Sequence, residues 1–192
     1  CQGGQYTFKL VIYRDCNGAD INTISQELKV WGHPTVNLIE CFFVSRTDLS
    51  PLCNQISGGP EMLECGNGAN TGNGMGAIER IIYESNPQTL SGTPPIEGWV
   101  FSYEDFSRSN SVTNLVDPAT KGITLLAKMF SIPNPASGCI DNSPQFLEDP
   151  YFISCVGDNY EYNINAVDPD LDSMHINFGI PYDYLNGASY VP

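Results

Sequence analysis

The sequence predicts an all-β protein: a β-sandwich domain followed by a second, incomplete β-sandwich domain. Three observations point there. Apolar and polar residues alternate from the first segment onward, which is the period of a half-buried strand. Eighteen Gly and fourteen Pro among 192 residues are too many for a helical protein. No stretch keeps the i, i+3, i+4 spacing of an amphipathic helix over three turns with caps.

The elements follow in order. In Gln5–Tyr13, Tyr6, Phe8, Leu10 and Ile12 share one face and Thr7, Lys9, Val11 and Tyr13 the other. That strand ends at Asp15-Cys16-Asn17-Gly18, where Asn-Gly is a strong turn signal. Further strands are expected at Thr35–Ser45, Ala77–Glu84, Trp99–Glu104 and Gly122–Ile132, each β-branched or aromatic and bounded by turn residues. Ala77–Glu84 also fits a helical turn, but is read as a strand. Gly72-x-Gly74-x-x-Ala77 formally matches a loose dinucleotide fingerprint. It lacks the preceding strand and following helix that chemistry needs, so Gly66–Gly76 reads as a surface loop.

Pro133-Asn134-Pro135-Ala136-Ser137-Gly138 reads as a short, stiff linker. It separates a first domain, residues 1–135, from a second unit, residues 139–192. Strands are expected there at Tyr151–Cys155, Asn159–Ala166 and Ser173–Gly179. The second unit is about half the ~100 residues of a sandwich, so it reads as truncated or completed by another chain.

The net charge of −14 repels phosphate backbones, which excludes nucleic acid as a partner, and suits a hard cation. No run of ~18 apolar residues exists, so no membrane span is expected. Seven Cys occur with no C-x-x-C pair, which sets zinc and thioredoxin chemistry aside. Their scatter through a loop-rich chain points to disulfides and an extracellular setting, the plain alternative being buried thiols. Residue 1 is Cys, so the chain reads as a mature form or an internal fragment.

Catalysis has little support. His33 precedes Pro34 in a turn and His175 sits between Met174 and Ile176, neither with a neighbouring nucleophile or ligand. Glu104-Asp105 and Glu148-Asp149 read as surface carboxylates rather than a glycosidase pair, because adjacent strand residues point to opposite faces. Trp31 and Trp99 form a sugar platform only if both are exposed on one sheet face; burial of both would favour a structural role.

The sharpest local signal is Asp168-Pro169-Asp170-Leu171-Asp172. Three carboxylates at alternate positions converge only when something offsets their repulsion, and calcium does so. The loop is not an EF-hand: Ser173 replaces the turn Gly and Gly179 stands where the bidentate Glu belongs. The plain alternative is an acidic turn. Asp141-Asn142-x-Pro144-x-Phe146 resembles the linker of cadherin repeats, and Ala166-x-Asp168-x-Asp170 their later calcium loop. That resemblance implies calcium as cofactor, with Asp141, Asn142, Asp168, Asp170 and Asp172 as ligands.

Tyr6-Thr7-Phe8-Lys9-Leu10-Val11-Ile12-Tyr13-Arg14-Asp15-Cys16-Asn17-Gly18 resembles the opening of a family of large Bacteroidota surface proteins. Its members are exported by type IX secretion and often labelled gliding-motility-associated. The resemblance extends through Leu49–Cys53, Trp99–Tyr103, Thr113–Leu115, Asn142–Phe146 and Ala166–Asp170. It makes Cys1 an internal family cysteine. Three family cysteine positions depart here, two at Phe106-Ser107 and one at Ile96, which leaves an odd cysteine count. Those departures leave no single connectivity implied; the expected pairings, in order, are Cys139–Cys155, Cys53–Cys65 and Cys16–Cys41, with Cys1 left over. The resemblance implies immunoglobulin-like or cadherin-like modules of a non-enzymatic, cell-surface adhesin or filament. Partners would be neighbouring domains of the same long chain and an extracellular polysaccharide or protein ligand. The alternatives are a carbohydrate-binding module of a secreted polysaccharide-degrading enzyme and a strand-exchanging filament subunit.

Overall fold

The computed structural model describes residues 4–16, 18–50, 65, 77–106, 108, 113–131, 141–149, 159, 161, 163–179 and 182–183. Among these the protein is all-β, with a single 3₁₀ turn at Pro118–Thr120. Ten strands occur: β1 (Gln5–Tyr6), β2 (Lys9–Asp15), β3 (Ser25–Trp31), β4 (Leu38–Asp48), β5 (Ile78–Ser85), β6 (Gln88–Thr89), β7 (Trp99–Phe106), β8 (Gly122–Met129), β9 (Gln145–Phe146) and β10 (Ala166–Val167). Six form one antiparallel sheet in the order β2-β5-β4-β3-β7-β8. Two short ladders, β1-β6 and β9-β10, stand beside it.

The alternation expected from the sequence sorts the two faces. Leu10 pairs with Tyr83, Ile12 with Ile81, Val30 with Phe101 and Trp99 with Met129, so apolar residues share one face across the sheet. Leu28, Ile39, Cys41 and Tyr103 belong to the same core, and Tyr6 and Leu90 join it from beside the β1-β6 ladder. Trp99 is 1 % exposed and packs against the His33 ring at 4.4 Å between centroids. Gly98, with φ +79°, precedes it; a Cβ there would stand 2.9 Å from the Met129 carbonyl oxygen, so only Gly fits the entry to β7.

The structure corrects several expected strands. Gln5–Tyr13 is two elements: Tyr6 pairs with Gln88 in one ladder, and β2 starts at Lys9. The strand expected at Thr35–Ser45 begins at Leu38, after the His33-Pro34 turn, and runs on to Asp48. It crosses a bulge at Phe43/Ser45 that leaves Val44 exposed and keeps Arg46 and Asp48 opposite Ile81 and Glu79. β3 was not expected. Asn159–Ala166 and Ser173–Gly179 are not strands at their described positions, apart from Ala166, which begins β10. Met174, Ile176 and Phe178 alternate as a strand would, but none is paired in a ladder and all are exposed. Tyr151–Cys155, the linker at Pro133–Gly138 and the loop Gly66–Gly76 lie outside the described residues.

Two sets of contacts tie the later residues to the large sheet. Asp149 accepts a hydrogen bond from Tyr13 Oη at 2.7 Å and pairs with Arg80 at 2.9 Å. Tyr182 bridges Thr124 on the outer side of β8.

Candidate functional site

One end of the sheet is built around the motif Tyr13-Arg14-Asp15-Cys16. Strand alternation carries Arg14 onto the same face as Leu10 and Ile12, among apolar neighbours. A guanidinium there needs a counter-charge, and Glu79, opposite it in register, supplies one: Arg14 Nε donates to Glu79 Oε1 at 2.5 Å. Glu79 is 2 % exposed and is shared with Arg46 at 3.5 Å. Arg46 also meets Asp20 at 3.1 Å and donates to the Ile21 carbonyl. Arg14 Nη1 donates to the carbonyls of Gly18 and Ala19 at 3.2 Å, gathering the turn that follows β2. Two arginines and two carboxylates thus satisfy one another, which is the condition for keeping charge inside a fold.

A disulfide, Cys16–Cys65, closes this end, with Cα atoms 5.2 Å apart, within the normal span. It replaces the expected Cys16–Cys41 and Cys53–Cys65 pairings, and the strand order supplies the reason. Cys16 lies beside Ala77, donating its N–H to that carbonyl, at the start of β5. Cys41 pairs with Ser85 at the far end of the same strand. Seven residues of strand separate those ends, about 23 Å at ~3.3 Å per residue, beyond any disulfide. Cys65 is held at the near end by Asp48, which accepts its N–H at 2.9 Å and that of Ser50 at 2.8 Å. Burial alone would raise the Asp48 pKa; these bonds outweigh it and hold the carboxyl below its usual range. Cys41 is a free, fully buried thiol, pushed up to about 11 by burial and then by the charge of Glu84. Cys1, Cys53, Cys139 and Cys155 lie outside the described residues.

The acidic loop is the second candidate. The β9-β10 ladder pairs Val167 with Gln145 and Ala166 with Phe146, which brings the two halves of the cadherin-like pattern side by side. Asn142 donates its backbone N–H to Asp170 at 2.7 Å and its side-chain amide to both Asp170 oxygens at 2.9 and 3.0 Å. Asp168 accepts the N–H groups of Asp170 at 2.8 Å and Asp172 at 3.4 Å. The Asp141 carboxyl is raised above its usual range, first by burial and then by the charges of Asp170, Asp168 and Asp172. The expected ligands therefore lie in one acidic neighbourhood, with Asn142 meeting Asp170 through its amide nitrogen rather than its oxygen. The carboxylates do not converge on one point. Among the described residues, only Cys16, Cys65 and Glu79 place three ligating atoms within 4.8 Å of one another, and their sulfurs are joined to each other.

The remaining candidates separate cleanly. His33 Nδ1 accepts the N–H groups of Thr35 and Val36 at 3.2 and 3.0 Å, fixing the turn before β4, and burial lowers its pKa. His175 is exposed. Trp99 is in the core, whereas Trp31 is 45 % exposed with its indole N–H on Ser102 Oγ at 2.9 Å. Trp31 pairs with Val100, the neighbour of Trp99, so the two indoles lie on opposite faces and make no common platform. An open depression of about 610 Å³ lies over Ile21–Ile24, Phe43 and Arg46, whose one charged group is already paired with Glu79 and Asp20. Sequence reasoning missed the Arg14–Glu79–Arg46 cluster. An arginine on an otherwise apolar strand face was its available signal. No helix among the described residues is long and apolar enough to cross a membrane. Comparison with known protein families, with curated proteins and with solved structures finds no match to this chain.

Proposed function

We propose that the chain is a non-enzymatic structural or adhesive module of a large bacterial cell-surface protein, of the type IX-secreted, gliding-motility-associated kind it resembles. The observation that carries this reading is the stapled sheet end. In the motif that bears the resemblance, Tyr13-Arg14-Asp15-Cys16, Arg14 joins β2 to Glu79 of β5, which also pairs with Arg46 of β4, Cys16 is closed in a disulfide, and Tyr13 holds Asp149. A motif consumed by stability rather than by an open cleft suits a load-bearing module outside the cell, where disulfides persist. Calcium is the cofactor proposed for Asp141, Asn142, Asp168, Asp170 and Asp172, where it would neutralise the loop and join it to the segment before β9. Neighbouring domains of a longer chain and an extracellular polysaccharide or protein are the proposed partners. The split exposure of Trp31 and Trp99 weighs against a paired-tryptophan carbohydrate module. Protease shaving of intact cells followed by mass spectrometry tests the reading. Peptides from residues 4–131 should be released, inside a polypeptide far longer than 192 residues and with Cys16 linked to Cys65. Recovery only from lysed cells, with both thiols free, would sink it.

A further inference from the structure

The outer face of the sheet, the side away from the core, holds a cation whose ion pair comes from outside the sheet. Tyr13 and Arg80 stand opposite each other there, one residue along from the Arg14–Glu79 pair of the inner face. On the other side of Arg80 the residue opposite is Thr47, so neither facing residue is a carboxylate. Asp149 supplies one. Its Oδ1 accepts from Tyr13 Oη at 2.7 Å and from Arg80 Nη1 at 2.9 Å, and its Oδ2 from the same Nη1 at 3.0 Å. Among the described residues this is the one ion pair that Arg80 makes. A second contact from the later residues falls on the same face: Thr124, opposite Glu104, donates to the Asp183 carbonyl, and Gly122 N–H to Asp183 Oδ1 at 2.5 Å. Ser102, Thr124 and the Glu104 side chain are buried although all three point away from the core. Buried polar side chains on that side mark the outer face as an interior surface.

We infer that the outer sheet face is the docking surface for this chain's own β9-β10 unit, with Tyr13 and Arg80 as its seat. The unit has little to hold it alone. Its ladder is two residue pairs long, and no described residue from Asp141 onward is buried. An isolated strand pair of that length is not stable in water. Asp149 is joined to the ladder through its neighbours: Leu147 donates its N–H to the Asn165 carbonyl, and Asn165 Nδ2 donates to Glu148 Oε1, both at 3.0 Å. Holding Asp149 therefore orders Asn165, which leads directly into β10 and the acidic loop. Strand alternation divides the motif between two tasks. Arg14 turns inward to fasten the sheet, and Tyr13 turns outward to fasten the unit beside it. A freely swinging second domain is replaced by one seated on the first. The inference stands apart from the calcium and cell-surface readings and holds or fails on the Asp149 contact alone.

Amide hydrogen exchange on the full 192-residue chain tests it, read at Leu147 N–H, with Phe101 in β7 as the internal control. Asp149→Ala should speed Leu147 exchange about tenfold or more, the loss of hydrogen bonds to a charged acceptor, and leave Phe101 unchanged. Arg80→Met should act in the same direction. The double variant should exchange no faster than the faster single one, because both substitutions remove one shared contact. Unchanged Leu147 protection in Asp149→Ala overturns the inference, as do additive effects in the double variant. Faster exchange at Phe101 as well also overturns it, because a seat on the outer face does not carry the core.

Discussion

Replacing Cys16 and Cys65 together by Ser should destabilise the first sheet by an amount set by the loop they close. The bond spans 49 residues of sequence. Loop-closure entropy for that length, 2.1 + 1.5R ln n, is about 14 cal/mol/K, or about 4 kcal/mol at 25 °C. The closed loop contains β3 and β4, which sit inside the sheet, so the constraint acts on core strands rather than on a frayed end. With a urea slope of ~2 kcal/mol/M, the midpoint should fall by about 2 M. Cys41→Ala is the control. It removes one buried sulfur, whose nearest polar contact is the Phe8 carbonyl at 3.8 Å, and should lower stability by only about 1 kcal/mol. The assay is a urea titration followed by tryptophan fluorescence, since Trp99 is core and Trp31 is on the other face. A midpoint shift below about 0.5 M for the double variant would refute the reasoning. So would a non-reducing peptide map that joins Cys41 to Cys16.

The other predictions concern charge and backbone. Glu79→Leu leaves the partly buried Arg14 and Arg46 with Asp20 as their remaining paired carboxylate and should lose about 2–3 kcal/mol, below the full cost of breaking a buried pair; Arg14→Met added to it should recover much of that, read by the same titration. Recovery failing in the double variant would show the pair is not coupled. Gly98→Ala should lose at least about 1–3 kcal/mol from its positive φ, and an unchanged melting point would mean that the Met129 carbonyl yields to the new Cβ. Calcium at a hundredfold excess over its Kd should add about 2.7 kcal/mol to wild type and less to Asp170→Asn, by thermal melts against chelator. A wild-type midpoint indifferent to calcium would leave the loop a plain acidic turn. That gain should depend on pH. The raised Asp141 pKa means that, without cation, its contribution is present below the ordinary aspartate value of ~3.9 and lost as pH rises through the raised one. Calcium favours the ionised form, so its stabilising effect should grow across that window; a gain that is flat with pH would exclude Asp141 as a ligand.

What was legible in the sequence, and what was not, divides by whether a property is local. β2, β7 and β8 were readable because each alternates cleanly and meets a turn residue. β3 escaped because Glu27, Lys29 and Gln26 surround Leu28 and Val30 and give it the polarity of a loop; Lys29 meets Glu104 at 3.1 Å, and Glu104, expected as a surface carboxylate, has its side chain only 4 % exposed. The last third of β4 escaped because Arg46 and Asp48 look like solvent residues until Glu79 is placed opposite them. The pairing of cysteines depends on which strand ends meet, and no local pattern states that β5 lies between β2 and β4. The acidic loop was legible because its residues are close in sequence. Its link to Asn142 came from a resemblance, and the hydrogen bonds to Asp170 place the two segments together.

The strand order also imposes a timetable on the chain's folding as it is synthesised. β2 is the first long strand to emerge, but its neighbour is β5, so Lys9 must wait for Glu84 before its edge is capped. Until then β3 and β4 form a hairpin with no place for β2 beside them, and Cys16 has no Cys65 to meet. Late, long-range closure of this kind folds slowly. The edge of β2 therefore stays open until the whole segment through β5 has been made.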